Sequence, residues 1–184
     1  MVPKSLLWVL LALPALWWAV AAVQPDADLE ALLHPTGELS ARLLIAALVV
    51  TPLVRLVPRW RGLIRYRRAI GVAAFGYGLL HLVFYVIAMG SLDDMLAELG
   101  ARGIWTGWLA LLLMLPLALT SNQAAVRALG RSWKPLQRLA YPAALLTLLH
   151  WVFVHDGLTS ALLHFVPLAL LEATRFLPSQ RRFA

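Results

Sequence analysis

Three histidines stand inside apolar stretches of this chain: His81, His150 and His164. A helix rises about 1.5 Å per residue, which puts His81 about 12 Å from the end of its stretch at Met89. By the same rise His150 lies roughly 8 Å and His164 roughly 9 Å inside theirs. A lone buried histidine is often only a hydrogen-bond donor between helices. Three imidazoles at one depth, on three segments, mark a functional position instead. Small residues precede each on its own face: Gly78 and Ala74, Thr147 and Ala143, Ala161 and Ser160. They leave space for a flat ligand and serve plain helix packing equally well.

Zinc takes four ligands, often with carboxylate or thiolate help. No Asp or Glu lies at that depth, and the chain has no cysteine. The missing thiols also exclude disulfides, iron–sulfur clusters and covalently attached c-type haem. Proton relays and ion transporters need intramembrane carboxylates, and the one candidate is Glu172 near the far end of its stretch. Haem b needs only two axial imidazoles and an apolar slot. Bis-histidine haem is the best chemical fit, with the choice of pair left open among the three.

The elements that must hold these side chains are legible in the hydropathy. Six apolar stretches, 5–23, 39–57, 69–89, 104–121, 137–155 and 158–177, each have the length that crosses a bilayer core of about 30 Å. Hydrophobic residues make up 61% of the chain and charged residues 14%, where a soluble domain carries about a quarter charged. The expectation is an all-α, polytopic bundle of six transmembrane helices, one domain over 1–184. Arg55, Arg59, Arg61, Arg65, Arg67 and Arg68 fall between stretches two and three. Arg127, Arg131, Lys134 and Arg138 fall between four and five, with Lys4, Arg175, Arg181 and Arg182 toward the ends. Six spans put all of these on one side, which makes the N and C termini cytoplasmic. The net charge of +7 is therefore a topology signal, and nucleic acid is not expected as a partner. Asp26, Asp28, Glu30, Glu38, Asp93, Asp94, Glu98 and Asp156 fall on the other side, where only Arg42 and Arg102 break the pattern.

Residues 5–23, with Lys4 before them and Ala19-Val20-Ala21-Ala22 near their end, have some features of a cleaved signal peptide. Their length and the bulky Trp17 and Trp18 favour a retained span with an interfacial aromatic belt. Pro14, Pro52, Pro116, Pro142 and Pro167 fall within spans and are expected to kink them. His34 is read as part of the first acidic loop, with Thr36 or Ser40 capping the second helix. His155 is read as closing the fifth helix at the surface.

Together the motifs resemble those of the MsrQ (YedZ) family, the haem-binding membrane subunits of periplasmic protein-methionine-sulfoxide reductase, within the wider ferric-reductase-like transmembrane group. The resemblance covers about 34–153. It is carried by His34-Pro35-Thr36-Gly37, Thr51-Pro52-Leu53, Arg67-Arg68 before Gly71, and Leu80-His81-Leu82. It continues through Thr120-Ser121-Asn122-Gln123-Ala124, Leu129-Gly130-Arg131 before Trp133, then Tyr141 and His150. It implies a b-haem protein of the bacterial inner membrane, with an associated flavin, FMN. Such a protein takes electrons from the quinol pool. It passes them to a periplasmic molybdopterin-dependent reductase subunit, its heterodimer partner, which repairs oxidised methionine. The chain would then be an electron-transfer subunit and not the catalytic one. His81 and His150 match the family's core histidines and are assigned as axial ligands. His164 is not carried over; it would replace His150, bond a propionate or touch quinone. His34 would contact quinone or the haem edge. The family commonly has a further histidine near 136–137, where this chain has Gln137, so no inner second haem is expected. Two other classes stay open: a stand-alone ferric or cupric reductase, and a non-redox transporter or assembly protein.

Overall fold

The computed structural model describes residues 3–154 and 158–176. Helices α1 (Lys4–Ala22), α2 (Leu29–Leu56), α3 (Ile64–Met89), α5 (Arg102–Leu119), α8 (Ala140–Val154) and α9 (Leu158–Ala173) form the bundle. Short helices α4 (Leu92–Glu98), α6 (Gln123–Leu129) and α7 (Trp133–Gln137) occupy the connections, and no strand occurs among the described residues.

Local chemistry sets the boundaries. The Asp28 carboxylate accepts the Ala31 N–H at 3.0 Å, and Glu30 stands in the first turn, so α2 begins ten residues before the expected Leu39. α3 ends on Gly90, whose φ of 69° belongs to the left-handed region that glycine enters at no steric cost. Ser91 and Asn122 cap α4 and α6 by accepting the N–H groups of Asp94 and Ala125.

Two hairpins dominate the packing. α2 lies along α3, α5 lies along α8, and α9 closes against α2 and α8. Where helices meet, alanines let the backbones approach: Ala74, Ala143 and Ala161 have no exposed surface. Helix α1 docks on α3 through Tyr77. The Tyr77 hydroxyl accepts the Ala15 N–H at 3.1 Å and donates to Leu11 O at 2.5 Å. It is thus inserted into the rung that Ala15 and Leu11 would share, beside Pro14. Trp18 packs edge-on to the same ring at 5.8 Å.

Basic residues from separate connections converge. Arg68 of α3 stacks over Trp133 of α7, and Arg175, just past α9, stacks over Tyr141 at the start of α8. Arg67 donates from Nε to Ala47 O on α2. Among the described residues, four segments are long and apolar enough to cross a membrane: Lys4–Ala22, Leu29–Leu56, Pro58–Met89 and Arg102–Leu119. α8 and α9 have 15 and 16 described residues, about 22–24 Å of helix.

Several expectations are corrected. His34 lies inside α2 and not in a loop, and neither Thr36 nor Ser40 is a cap. Pro35 cannot donate to Ala31 O, yet the helix continues through it, and the Thr36 hydroxyl donates back to Leu32 O and Leu33 O. Ser40 instead donates to Ala74 O and ties α2 to α3. Gln137 ends α7, separated from α8 by a turn at 138–139, so it does not belong to the fifth long helix. Pro142 stands in the first turn of α8, where its missing N–H has no helical partner to lose. Arg65, Arg67 and Arg68 lie within α3. His155, Leu177 and the two arginines beyond it lie outside the described residues.

Candidate functional site

His81 and His150 come together across the two hairpins. Their ring centroids are 6.0 Å apart with planes at 79°. Both line a cavity of about 570 Å³, bounded by α2, α3, α5 and α8, a size usual for cofactor sites. Leu82, Leu111, Met114 and Trp151 make its apolar wall, and Glu30, Glu38 and Glu98 line it as well. Tyr85, one turn beyond His81, donates to Glu98 at 3.1 Å.

Each imidazole is oriented by the same device. His81 Nδ1 lies 2.9 Å from Leu33 O, and His150 Nδ1 lies 2.6 Å from Gly103 O. A carbonyl oxygen only accepts, so Nδ1 carries the proton in both rings and the lone pair is on Nε2. Four residues after each accepting carbonyl stands a glycine pressed against the ring. A Cβ on Gly37 would lie 2.9 Å from His81 Cε1 and Nδ1; one on Gly107 would lie 2.7 Å from the same atoms of His150. Before each glycine stands a threonine with no exposed surface. Thr36 donates to Leu33 O at 2.7 Å, and Thr106 donates to Gly103 O at 2.8 Å. The sequences Leu33-His-Pro-Thr36-Gly37 and Gly103-Ile-Trp-Thr106-Gly107 thus build two equivalent cradles, one per hairpin.

This constellation fits haem. Two imidazole–metal bonds of about 2 Å each, plus two ring radii, span roughly 6 Å, the separation of the two rings. A histidine ligand characteristically donates its other N–H to a carbonyl or carboxylate, as both rings do. No cluster of three or more His, Asp or Glu that could hold a metal ion occurs among the described residues.

The other sequence-level candidates fall in different places. His34 lines the cavity from α2. His164 does not line it. Its Nδ1 donates to Ser160 O at 2.8 Å, and its Nε2 accepts from Arg42 Nε at 3.3 Å. It stacks on Trp151 at 5.1 Å, and Trp151 is part of the cavity wall. Arg42 also pairs with Glu38 at 2.7 Å. Gln137 Nε2 donates to Leu117 O and Thr120 Oγ1, fastening α7 to the end of α5. It borders a second cavity of about 200 Å³ with Arg67, Arg68 and Trp133. The accepting carbonyls and the pair Thr106-Gly107 were not singled out from sequence. The dipeptide Thr-Gly occurs twice, at 36–37 and 106–107, and Gly103 and Gly107 have the small-xxx-small spacing of close helix contacts.

An all-helical bundle with apolar helices and imidazoles facing a shared cavity is the architecture of a membrane redox domain, and residues 36–148 match the family described as ferric reductase like transmembrane component. Among curated relatives, proteins named protein-methionine-sulfoxide reductase heme-binding subunit MsrQ align over most of the chain. The protein from Rhodospirillum rubrum is 38% identical, over 92% of this chain and 85% of its own length. Those from Azospira oryzae and Yersinia enterocolitica are 37% and 34% identical, each over 94% of this chain and over 77% and 90% of their own lengths. No solved structure matches. The chain belongs to the MsrQ family, and it is a multi-pass membrane protein.

Proposed function

We propose that this protein is a haem b-binding electron-transfer subunit, with His81 and His150 as the axial ligands. The observation that carries the reading is the pair of rings 6.0 Å apart on one cavity, each with Nδ1 hydrogen-bonded to a helix carbonyl, which puts the lone pair on Nε2. When bound, haem supplies a one-electron Fe(III)/Fe(II) couple; the chain supplies ligands, an apolar wall and a fixed tautomer. The named relatives are heme-binding subunits, which supports the same cofactor here.

Electrons pass, in this reading, from the membrane quinol pool to a periplasmic, molybdopterin-dependent methionine-sulfoxide reductase subunit, and FMN belongs on the donor side of that path. Gln137 offers no imidazole and is engaged by Leu117 and Thr120, which supports one haem on the side of His34, Glu38 and Glu98. His164 fits a quinone contact better than an axial role, because its Nε2 lone pair already accepts from Arg42. The six-span topology, with termini cytoplasmic in the bacterial inner membrane, is supported by the packing of Arg68 on α7 and of Arg175 on the start of α8.

The test is the dithionite-reduced minus oxidised absorption spectrum of purified protein, with His81→Ala and His150→Ala alongside. Sharp low-spin b-type bands are expected in the parent and in neither variant. A flat parent spectrum after haem supplementation refutes the reading and favours a non-redox transporter or assembly protein.

A further inference from the structure

We propose that Thr36 and Thr106 set the reduction potential of the bound haem by competing with the two imidazoles for the carbonyls of Leu33 and Gly103. The inference rests on His81 and His150 being the axial pair.

A carbonyl oxygen has two lone pairs. In α2 and α5 the helical ladder gives each of these carbonyls one donor, the N–H four residues on. Two further donors then share what remains. At Leu33 O they are His81 Nδ1 at 2.9 Å and Thr36 Oγ1 at 2.7 Å. At Gly103 O they are His150 Nδ1 at 2.6 Å and Thr106 Oγ1 at 2.8 Å. Neither hydroxyl is bound to this oxygen alone: Thr36 also reaches Leu32 O at 2.9 Å, and Thr106 also reaches Arg102 O at 2.8 Å. Both threonines are fully buried, so water does not replace the hydroxyl when it is removed.

The link to redox chemistry is the second shell. A stronger hydrogen bond from Nδ1–H raises the basicity of Nε2, and a more basic axial ligand favours Fe(III). Each threonine weakens the hold of its carbonyl on Nδ1–H and so favours Fe(II). Threonine is not needed for the tautomer, which the carbonyl fixes by itself. Nor does it touch the cavity, since neither residue lines it. Its effect therefore appears in the potential and not in haem occupancy.

The experiment is a mediated redox titration of haem-loaded protein in detergent, following the low-spin bands of the parent, Thr36→Val, Thr106→Val and the serine variants of both. Each valine variant is expected to keep its haem and its low-spin spectrum. Each is expected to shift the ferric-to-ferrous ratio roughly threefold toward Fe(III) at fixed ambient potential, about 28 mV at 59 mV per tenfold for one electron. The serine variants, which keep the hydroxyl, should titrate with the parent. Unchanged or raised potentials in the valine variants overturn the proposal. So does haem loss in both the valine variants and the smaller Thr36→Ala and Thr106→Ala, because the hydroxyls would then assemble the site. A parent that binds no haem fails the axial-ligand reading; a haem-loaded parent with insensitive potentials fails only this one.

Discussion

Replacing Gly107 by alanine puts a single methyl group where the backbone of α5 touches His150. The new Cβ would lie 2.7 Å from His150 Cε1 and Nδ1, whereas ordinary contact begins at 3.4 Å, so the ring must retreat by about 0.7 Å. It cannot slide along α5, because Nδ1 is held by Gly103 O at 2.6 Å. Parting the two helices locally would give up their close packing one turn away, where a Cβ at Gly103 would meet Val154 Cγ2 at 2.8 Å. A metal–ligand bond tolerates about ±0.2 Å, roughly a third of the required shift. Overpacking of this kind costs about 1–3 kcal/mol, which at 1.4 kcal/mol per decade weakens haem binding roughly 5- to 150-fold. The fold itself is spared, since alanine is better than glycine in a helix by about 1 kcal/mol. The assay is haem content per polypeptide after purification, followed by haemin titration and the low-spin absorption bands. Gly76→Ala is the matched control: the same change in α3, with nothing within 4 Å of the added carbon. Full haem occupancy and unaltered low-spin bands in Gly107→Ala would refute the claim that this glycine seats the axial imidazole.

Gly37→Ala should act in the same way on His81, with a slightly smaller loss because its Cβ would stand at 2.9 Å; haemin titration beside Gly107→Ala ranks the two. Tyr77→Phe removes the hydroxyl inserted between Ala15 N–H and Leu11 O, leaving those groups to re-pair across the Pro14 region at a cost of about 1–3 kcal/mol. It should loosen α1 from α3 without changing the haem spectrum, read as faster proteolysis in the 23–28 connection; an unchanged cleavage rate would show that the contact does not hold α1.

The apolar stretches were legible because lipid demands long runs of uninterrupted hydropathy; α1 and α5 follow them closely, and α2 and α3 contain them. The ends were less so. Charge and proline at 28–38 read as a loop, yet Asp28 is a helix cap and α2 runs on through Pro35, so it carries His34 and Gly37 into the cavity wall. At the other end of the bundle, Gln137 belongs to α7 because the chain turns at 138–139, a break that hydropathy alone does not register. Depth left three candidate imidazoles and the resemblance selected His81 and His150, the two rings that lie 6.0 Å apart. The cradle atoms were not, because two of them are backbone carbonyls, and a carbonyl has no sequence signature beyond the glycine and threonine that follow it.

That each imidazole is seated by the opposite helix of its own hairpin has a consequence for stability. Leu33 and Gly37 on α2 orient His81 on α3; Gly103 and Gly107 on α5 orient His150 on α8. Each hairpin can therefore prepare one ligand in the right tautomer without the other, but neither can complete a two-ligand site. The cavity lies between the hairpins, where direct packing is interrupted. A group bound by both histidines would couple the two pairs, contributing about 4.1 kcal/mol when its free concentration is 1,000 times its Kd. Ligand preparation within hairpins and ligand use between them would make loading of the cavity reinforce a junction that α9 and the shared core already form.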